Sequence, residues 1–227
     1  MSLNHNKLFE LPDFSKAFEY ENNFYLSSDI TRISKLLAHY ELFKMIKDIP
    51  GEIVECGVFK GASFCRFATF REIFGNVFSK KIIGFDTFGK FPDAKFVDDI
   101  KALKDQTSID GNYSIKKEQL ENALEHKGIN KNIELVQGDI TKTIPEYVST
   151  HPELKISLLN LDVDIYEPSV TILDNLFPLI SKGGILILDD YATFPGETKA
   201  VDDYFKDKNI TIKKFSFCMT PCYLIKE

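Results

Sequence analysis

From about residue 51 onward, short apolar runs alternate with stretches whose apolar positions recur at helical spacing. The runs at 53–56, 81–85, 133–136, 156–161 and 185–189 have the length and composition of strands covered on both faces. Between them, 62–74, 116–126, 144–150 and 169–180 carry helical patterns. A strand-helix alternation of this kind predicts βαβ units, and so a doubly wound, mostly parallel sheet in an α/β domain. A helix near 198–206 and two β-rich runs, 211–217 and 222–225, add a closing strand pair and bring the expected sheet to seven strands.

The chain ahead of this domain is organised differently. Residues 27–48 read as an amphipathic helix with Ser28 as its cap. Ile33, Leu36, Leu37, Tyr40, Phe43 and Ile46 share one side, and Ile49-Pro50-Gly51 ends it. The first 25 residues are polar and aromatic without a clear period, and are expected to wrap the domain or a partner chain. The chain is therefore divided into 1–50, a tail and helix, and 51–227, the α/β domain. One connection is unusually long. Residues 88–113 have mixed charge, weak periodicity and a turn at Asp110-Gly111-Asn112. They follow the second strand at the ligand edge of such a sheet, so a substrate lid is expected.

Composition narrows the partners. With 44% hydrophobic residues in 227, the chain can bury a core without disulfides or structural metals. A net charge of −6, with basic residues scattered in ones and twos, argues against a nucleic-acid partner. The four cysteines, Cys56, Cys65, Cys218 and Cys222, form no C-x-x-C pair and read as free thiols of a reducing compartment. No apolar leader follows Met1, and no apolar run reaches the ~18 residues of a membrane span. A soluble, cytoplasmic protein is expected.

The first strand turns into the first domain helix through Glu55-Cys56-Gly57-Val58-Phe59-Lys60-Gly61-Ala62-Ser63. Gly57 and Gly61 permit a sharp turn and a close backbone approach to a ligand, although a tight turn alone would use the same residues. Asp86 ends the second strand, where a carboxylate can accept from ribose hydroxyls. Asp139 follows the third, where it could meet an adenine amino group. Three such features at successive strand ends favour a nucleoside cofactor. A nicotinamide dinucleotide is one candidate, but the loop lacks the G-x-G-x-x-G spacing that brings backbone against a pyrophosphate. S-adenosylmethionine has no pyrophosphate and does not need it.

Two further strand ends are acidic. Asp162 follows the fourth strand, and Asp189-Asp190 closes the fifth. Carboxylates at the tips of apolar strands are costly unless their charge is compensated, by a helix terminus, by lysines or by a cation. Oxygen ligands with no nearby His or Cys suit a hard divalent ion such as Mg²⁺, Mn²⁺ or Ca²⁺. Successive strand residues point to opposite faces, so Asp189 and Asp190 converge only if the strand has ended between them. Asp164 stands in reserve as a ligand.

At this point the sequence resembles the macrocin (tylosin-type) O-methyltransferases, a metal-dependent branch of the class I, Rossmann-like methyltransferases. The matching stretches are Gly-Glu-Ile-Val-Glu-Cys-Gly-Val-Phe-Lys-Gly-Ala-Ser from Gly51, Gly-Phe-Asp-Thr-Phe-Gly-Lys-Phe-Pro from Gly84, and Gln-Gly-Asp ending at Asp139. Leu-Asp-Val-Asp-Ile-Tyr-Glu-Pro-Ser from Leu161 and Gly-Gly-Ile-Leu-Ile-Leu-Asp-Asp-Tyr ending at Tyr191 complete the set. The resemblance implies S-adenosylmethionine and usually Mg²⁺, with a sugar hydroxyl as methyl acceptor. It further implies that Glu55, Gly57, Gly61 and Ser63 belong to the loop holding the methionine part of the cofactor, with Asp86 on the ribose and Asp139 on the adenine. Asp162, Asp189 and Asp190 fall on the family's metal-binding aspartates. Val163, where relatives often carry Gly, and the segment 90–113 depart from the pattern.

The expected chemistry is one in-line methyl transfer, with a metal-bound hydroxyl and Asp162 accepting its proton. Histidine is poorly placed for that role: His126 and His151 precede strands, His5 lies in the tail, and His39 in the amphipathic helix reads as packed or exposed. A catechol or another vicinal diol would suit the same chemistry as a sugar. A nicotinamide oxidoreductase and a non-catalytic S-adenosylmethionine-binding protein are the competing readings. The N-terminal extension would suit a homodimer.

Overall fold

The computed structural model describes residues 9–227, and over 106–110 the backbone alone. Its sheet is built from β1 (Glu52–Cys56), β2 (Ile82–Asp86), β3 (Ile133–Gln137), β4 (Ile156–Leu161), β5 (Ile180–Leu188), β6 (Lys213–Lys214) and β7 (Cys222–Ile225), in the order β3-β2-β1-β4-β5-β7-β6. The first five strands are parallel, and β7 runs antiparallel between β5 and β6. The order reverses between β1 and β4, which opens a crevice at their carboxyl ends.

The central strands read as near-continuous apolar runs because helices cover both faces. On one side, α2 (Ile30–Met45), α3 (Ala62–Phe74) and α5 (Lys117–His126) pack Leu42, Ile46, Phe64, Phe67 and Leu124 against Ile53, Leu158 and Ile187. On the other, α6 (Ile140–Thr150), α7 (Tyr166–Leu176) and α8 (Pro195–Phe205) pack Ile144, Ile172, Leu173 and Val201 against Val54, Leu159 and Leu186. The doubly wound expectation holds, with seven strands.

Boundaries differ where local chemistry outweighs periodicity. The predicted helix at 27–48 is α2, capped by Asp29 rather than Ser28, and a further helix, α1 (Ala17–Ser27), lies in the stretch read as having no clear period. The Asp29 carboxylate accepts from the Thr31 amide at 2.9 Å, while Ser28 is extended and separates the pair. Of the first 25 residues, 1–8, with His5, lie outside the described residues. The helix expected at 169–180 begins and ends earlier, because Pro178 sits in a 3₁₀ turn and Ile180 already opens β5. The β-rich run 211–217 contributes only the exposed pair Lys213–Lys214, a short charged edge strand of the kind that discourages further pairing.

The long connection after β2 holds a helix, α4 (Val97–Asp110). Its base is closed by an antiparallel bridge between Lys90 and Tyr113. The anchor of α4 is polar: Asp99 is buried, and its Oδ2 accepts from the Tyr166 amide at the start of α7 at 2.8 Å. Gly196, at the start of α8, makes room for that carboxylate; a Cβ there would lie 2.1 Å from Asp99 Oδ2.

Candidate active site

A cleft of about 740 Å³ lies over the carboxyl ends of the parallel strands. The β1 loop, the strand tips after β4 and β5, α2 and the α4 connection all line it.

Gly57 makes the first turn possible. Its amide donates to the Phe85 carbonyl at 2.9 Å, and the Asp162 amide donates to Cys56 at 3.0 Å, so β1, β2 and β4 stay paired right up to the cleft. At φ +92°, a Cβ on Gly57 would fall 1.6 Å from the Asp162 carbonyl oxygen. Gly61, at φ +81°, opens α3. Ser63, in the first turn of that helix, lines the cleft and donates to Glu55 Oε1 at 2.5 Å. Glu55 itself is fully buried behind Ser63, and burial pushes its carboxyl up to about 8.

This raised value has a signed consequence. A carboxyl whose folded pKa exceeds its unfolded one favours the folded state at low pH, and that advantage is lost as pH climbs toward the folded pKa. Glu55→Gln keeps an acceptor for Ser63 without the charge. Its urea midpoint is expected to match wild type near pH 5 and to exceed it increasingly up to about pH 8. A constant difference across that range would show that Glu55 ionises freely in the folded chain.

Asp86 staples two loops together. Its Oδ2 accepts from the Phe59 amide at 3.0 Å and its Oδ1 from the Phe88 amide at 2.6 Å. It lines the cleft, as does Asp139. The Asp139 carboxylate caps α6, accepting from the Thr141 amide at 3.0 Å and its hydroxyl at 2.7 Å. Capping accounts for that residue type without a ligand.

The three carboxylates predicted to meet do so. Asp162, Asp189 and Asp190 each place an oxygen within 4.8 Å of the others. β5 ends at Leu188, so the alternation that would separate Asp189 from Asp190 no longer applies. Two more acids press on the group. Asp164, at φ +62°, is pushed up to about 7, first by burial and then by Asp162. Glu197 in α8 is buried, and its Oε1 accepts from the Asp190 amide at 3.0 Å. Burial and the neighbouring acids push Asp162, Asp190 and Glu197 well above the usual carboxylate range.

One cation meets this charge directly. Lys35 of α2 donates to Asp189 Oδ2 at 2.5 Å. Burial would raise Asp189, but Lys35 and then His39 overcome it and hold the carboxyl at about 2. His39 is buried, stacked on Phe67 at 5.0 Å, with Nε2 3.9 Å from Asp189 Oδ1; burial lowers its pKa and leaves the ring neutral. Asp189 Oδ1, Asp190 Oδ2 and Glu197 Oε2 lack any hydrogen-bond partner. Five acids against one lysine, with orphaned oxygens and no thiolate, is a donor set that fits a hard divalent cation.

Lys35, His39 and Glu197 were not picked out as site residues from sequence. A signal existed for the first two. Arg32, Lys35 and His39 recur at helical spacing, and His39 lies between the buried Ala38 and Leu42, so polar groups enter the buried face of an amphipathic helix. Glu197 carried none, since an acid in a first helical turn is ordinary.

Strand order and cleft together define the class I methyltransferase fold. A family model for Macrocin-O-methyltransferase (TylF) matches residues 31–223, and the chain belongs to that family. It is 29% identical over 161 residues to the 8-demethyl-8-(2,3-dimethoxy-alpha-L-rhamnosyl)-tetracenomycin-C 4'-O-methyltransferase of Streptomyces olivaceus, a match spanning 69% of this chain and 58% of that protein. It is 28% identical to the demethyldecarbamoylnovobiocin O-methyltransferase of Streptomyces niveus, over 74% of this chain and 64% of the relative. The chain thus spans less than two thirds of the length of these curated relatives. Among solved structures, CalS11, a calicheamicin methyltransferase, superposes with a TM-score of 0.71 at 26% identity, over 92% of this chain and 84% of that one. The O-methyltransferase NovP superposes at 0.74 with 24% identity, over 86% and 80%, and shares the fold. No helix among the described residues is long and apolar enough to cross a membrane.

Proposed function

We propose that the chain is an S-adenosylmethionine- and divalent-metal-dependent O-methyltransferase acting on a hydroxyl of a sugar or glycoside. The observation that carries this reading is the convergence of Asp162, Asp189 and Asp190 within 4.8 Å beside the Gly57 turn, in one cleft. S-adenosylmethionine supplies an activated methyl group on a sulfonium, and a divalent ion, Mg²⁺ by ligand chemistry, orients an acceptor hydroxyl and lowers its pKa.

The chain's own residues do the rest. Glu55, Gly57, Gly61 and Ser63 shape the wall for the methionine end, Asp86 takes the ribose hydroxyls and Asp139 lies at the adenine end. Asp162, Asp189 and Asp190 would hold the ion, whose charge would keep Asp162 ionised and able to receive the hydroxyl proton. The connection carrying α4 covers the acceptor and keeps water from it. The rhamnosyl group on the acceptor in the name of the tetracenomycin relative supports the acceptor class. Family membership leaves the nicotinamide reading without support.

Methyl transfer from S-adenosylmethionine to a panel of sugar nucleotides and glycosides, with and without EDTA, tests the reading. Turnover is expected to vanish with chelator and return with Mg²⁺. Turnover that survives complete chelation removes the metal from the mechanism. Binding of S-adenosylmethionine without turnover on any acceptor would leave only the non-catalytic alternative. A reducing, cytoplasmic setting suits the four free cysteines. Exposed Phe18, Tyr25 and Leu26 on α1 suit a homodimer, an assignment that a monomer mass in light scattering would remove.

A further inference from the structure

Two cations line the cleft uncommitted. Arg32 on α2 and Arg66 on α3 both border it, and among the described residues neither side chain has a hydrogen bond or ion pair. Helical spacing explains their direction. Arg66 stands three residues after Ser63 and shares its side of α3, while Phe64 and Phe67 enter the core. Arg32 lies on the α2 face that carries Lys35.

The neighbouring acids reach Arg66 without a hydrogen bond or ion pair. Glu55, Asp189 and Asp162 act on Arg66 through space, yet Glu55 holds Ser63 and Asp189 holds Lys35. Burial is the largest influence on Arg66 and lowers its pKa, and the acids offset it only through space, with no side chain among the described residues hydrogen-bonded to the half-buried guanidinium. Arg32 lowers it further through space, and both unpaired guanidiniums line the same cleft. A guanidinium offers a planar fork of donors that matches a carboxylate or phosphate with two parallel bonds.

We propose that Arg32 and Arg66 form an oxyanion subsite on the α2–α3 wall of the cleft, taking a carboxylate or phosphate of a bound ligand. This rests on the reading of the cleft as a methyltransferase site, which offers two sources. One is the carboxylate ending the methionyl chain of the cofactor. The other is an acidic group on the acceptor, such as the diphosphate of a sugar nucleotide.

Calorimetry on the full chain separates them. The probes are S-adenosylhomocysteine, 5'-methylthioadenosine (the same nucleoside without the amino-acid chain) and thymidine diphosphate. Arg66→Gln is expected to weaken one anionic probe about 10- to 100-fold, the worth of a charge-assisted bond. Arg66→Lys should restore only part of this, because an ammonium cannot reproduce the fork. Arg32→Gln, at an exposed position that leaves the core untouched, should weaken the same probe by a smaller factor. Loss confined to S-adenosylhomocysteine assigns the subsite to the cofactor, and loss confined to thymidine diphosphate assigns it to the acceptor. Unchanged affinities, or equal losses for all three probes, overturn the proposal. Wild-type protein that ignores both nucleosides would instead sink the methyltransferase reading, while the diphosphate titration still decides this one.

Discussion

Gly57→Ala is expected to be the most damaging single-methyl change in the chain. The added carbon would sit 1.6 Å from the Asp162 carbonyl oxygen, less than half an ordinary contact distance. No rotamer relieves a Cβ clash, and the obstructing atom is backbone, so β1 and β4 must separate at their tips. The residue also holds φ +92°, a region that side chains rarely adopt. Strain and overpacking together should cost on the order of 3–5 kcal/mol. Because the tips of β1 and β4 also position Asp162, cofactor affinity and metal binding should fall together. Urea denaturation and calorimetry with S-adenosylhomocysteine measure the two losses. Gly128→Ala is the control: φ is +68° there but nothing lies within 4 Å of the new carbon, so only about 1 kcal/mol of backbone strain is expected. A Gly57→Ala protein as stable as the control, with cofactor binding intact, would mean that the turn tolerates a side chain and is not shaped for a ligand.

What the sequence disclosed follows from where burial is apolar. β1, β2, β4 and the second half of β5 announced themselves because both faces are covered there and most positions are apolar. The acidic tips were equally plain, since an Asp directly after such a run has no packing reason to be there. Two helices escaped notice for opposite reasons. α1 buries none of its residues, so its aromatic positions answer to no core and show no period. α4 is held at its start by the buried carboxylate of Asp99 against the amide of Tyr166, and a search for apolar spacing does not register a polar anchor. The site divides the same way. Its carboxylates lie on strand tips adjacent in the sheet, so topology implied their meeting. Lys35 and His39 come from a helix that precedes the domain, and their approach to Asp189 depends on how α2 docks on α3, which spacing along one chain does not specify.

Asp189 and Asp190 are neighbours in one cluster, yet their asparagine variants should move stability in opposite directions while both lose activity. Asp190 is half-buried among Asp164, Asp189 and Glu197, with Oδ2 unpartnered and its pKa raised. A raised carboxyl loses its stabilising contribution as pH climbs toward the folded value, and an amide removes that loss. Metal-free Asp190→Asn is therefore expected to be about 1–3 kcal/mol more stable than wild type at pH 8 and closer to it at pH 5. Asp189 is the member that Lys35 neutralises, and removing its charge leaves a mostly buried ammonium beside a hydrogen-bond acceptor of no charge. Asp189→Asn should cost about 1–3 kcal/mol, less than a fully enclosed pair because the lysine keeps 22% of its side chain exposed. With Mg²⁺ present the advantage of Asp190→Asn shrinks or reverses. A cation bound at 100 times its dissociation constant stabilises the wild-type fold by about 2.7 kcal/mol, and either substitution should abolish that gain along with about 10³-fold of turnover. Thermal melts of the three proteins, with and without Mg²⁺, therefore separate a cluster assembled for a cation from one that merely tolerates its own repulsion. If Asp190→Asn melts below wild type in EDTA, or if Mg²⁺ still raises the melting temperature of both variants, the carboxylates are structural and the metal belongs elsewhere.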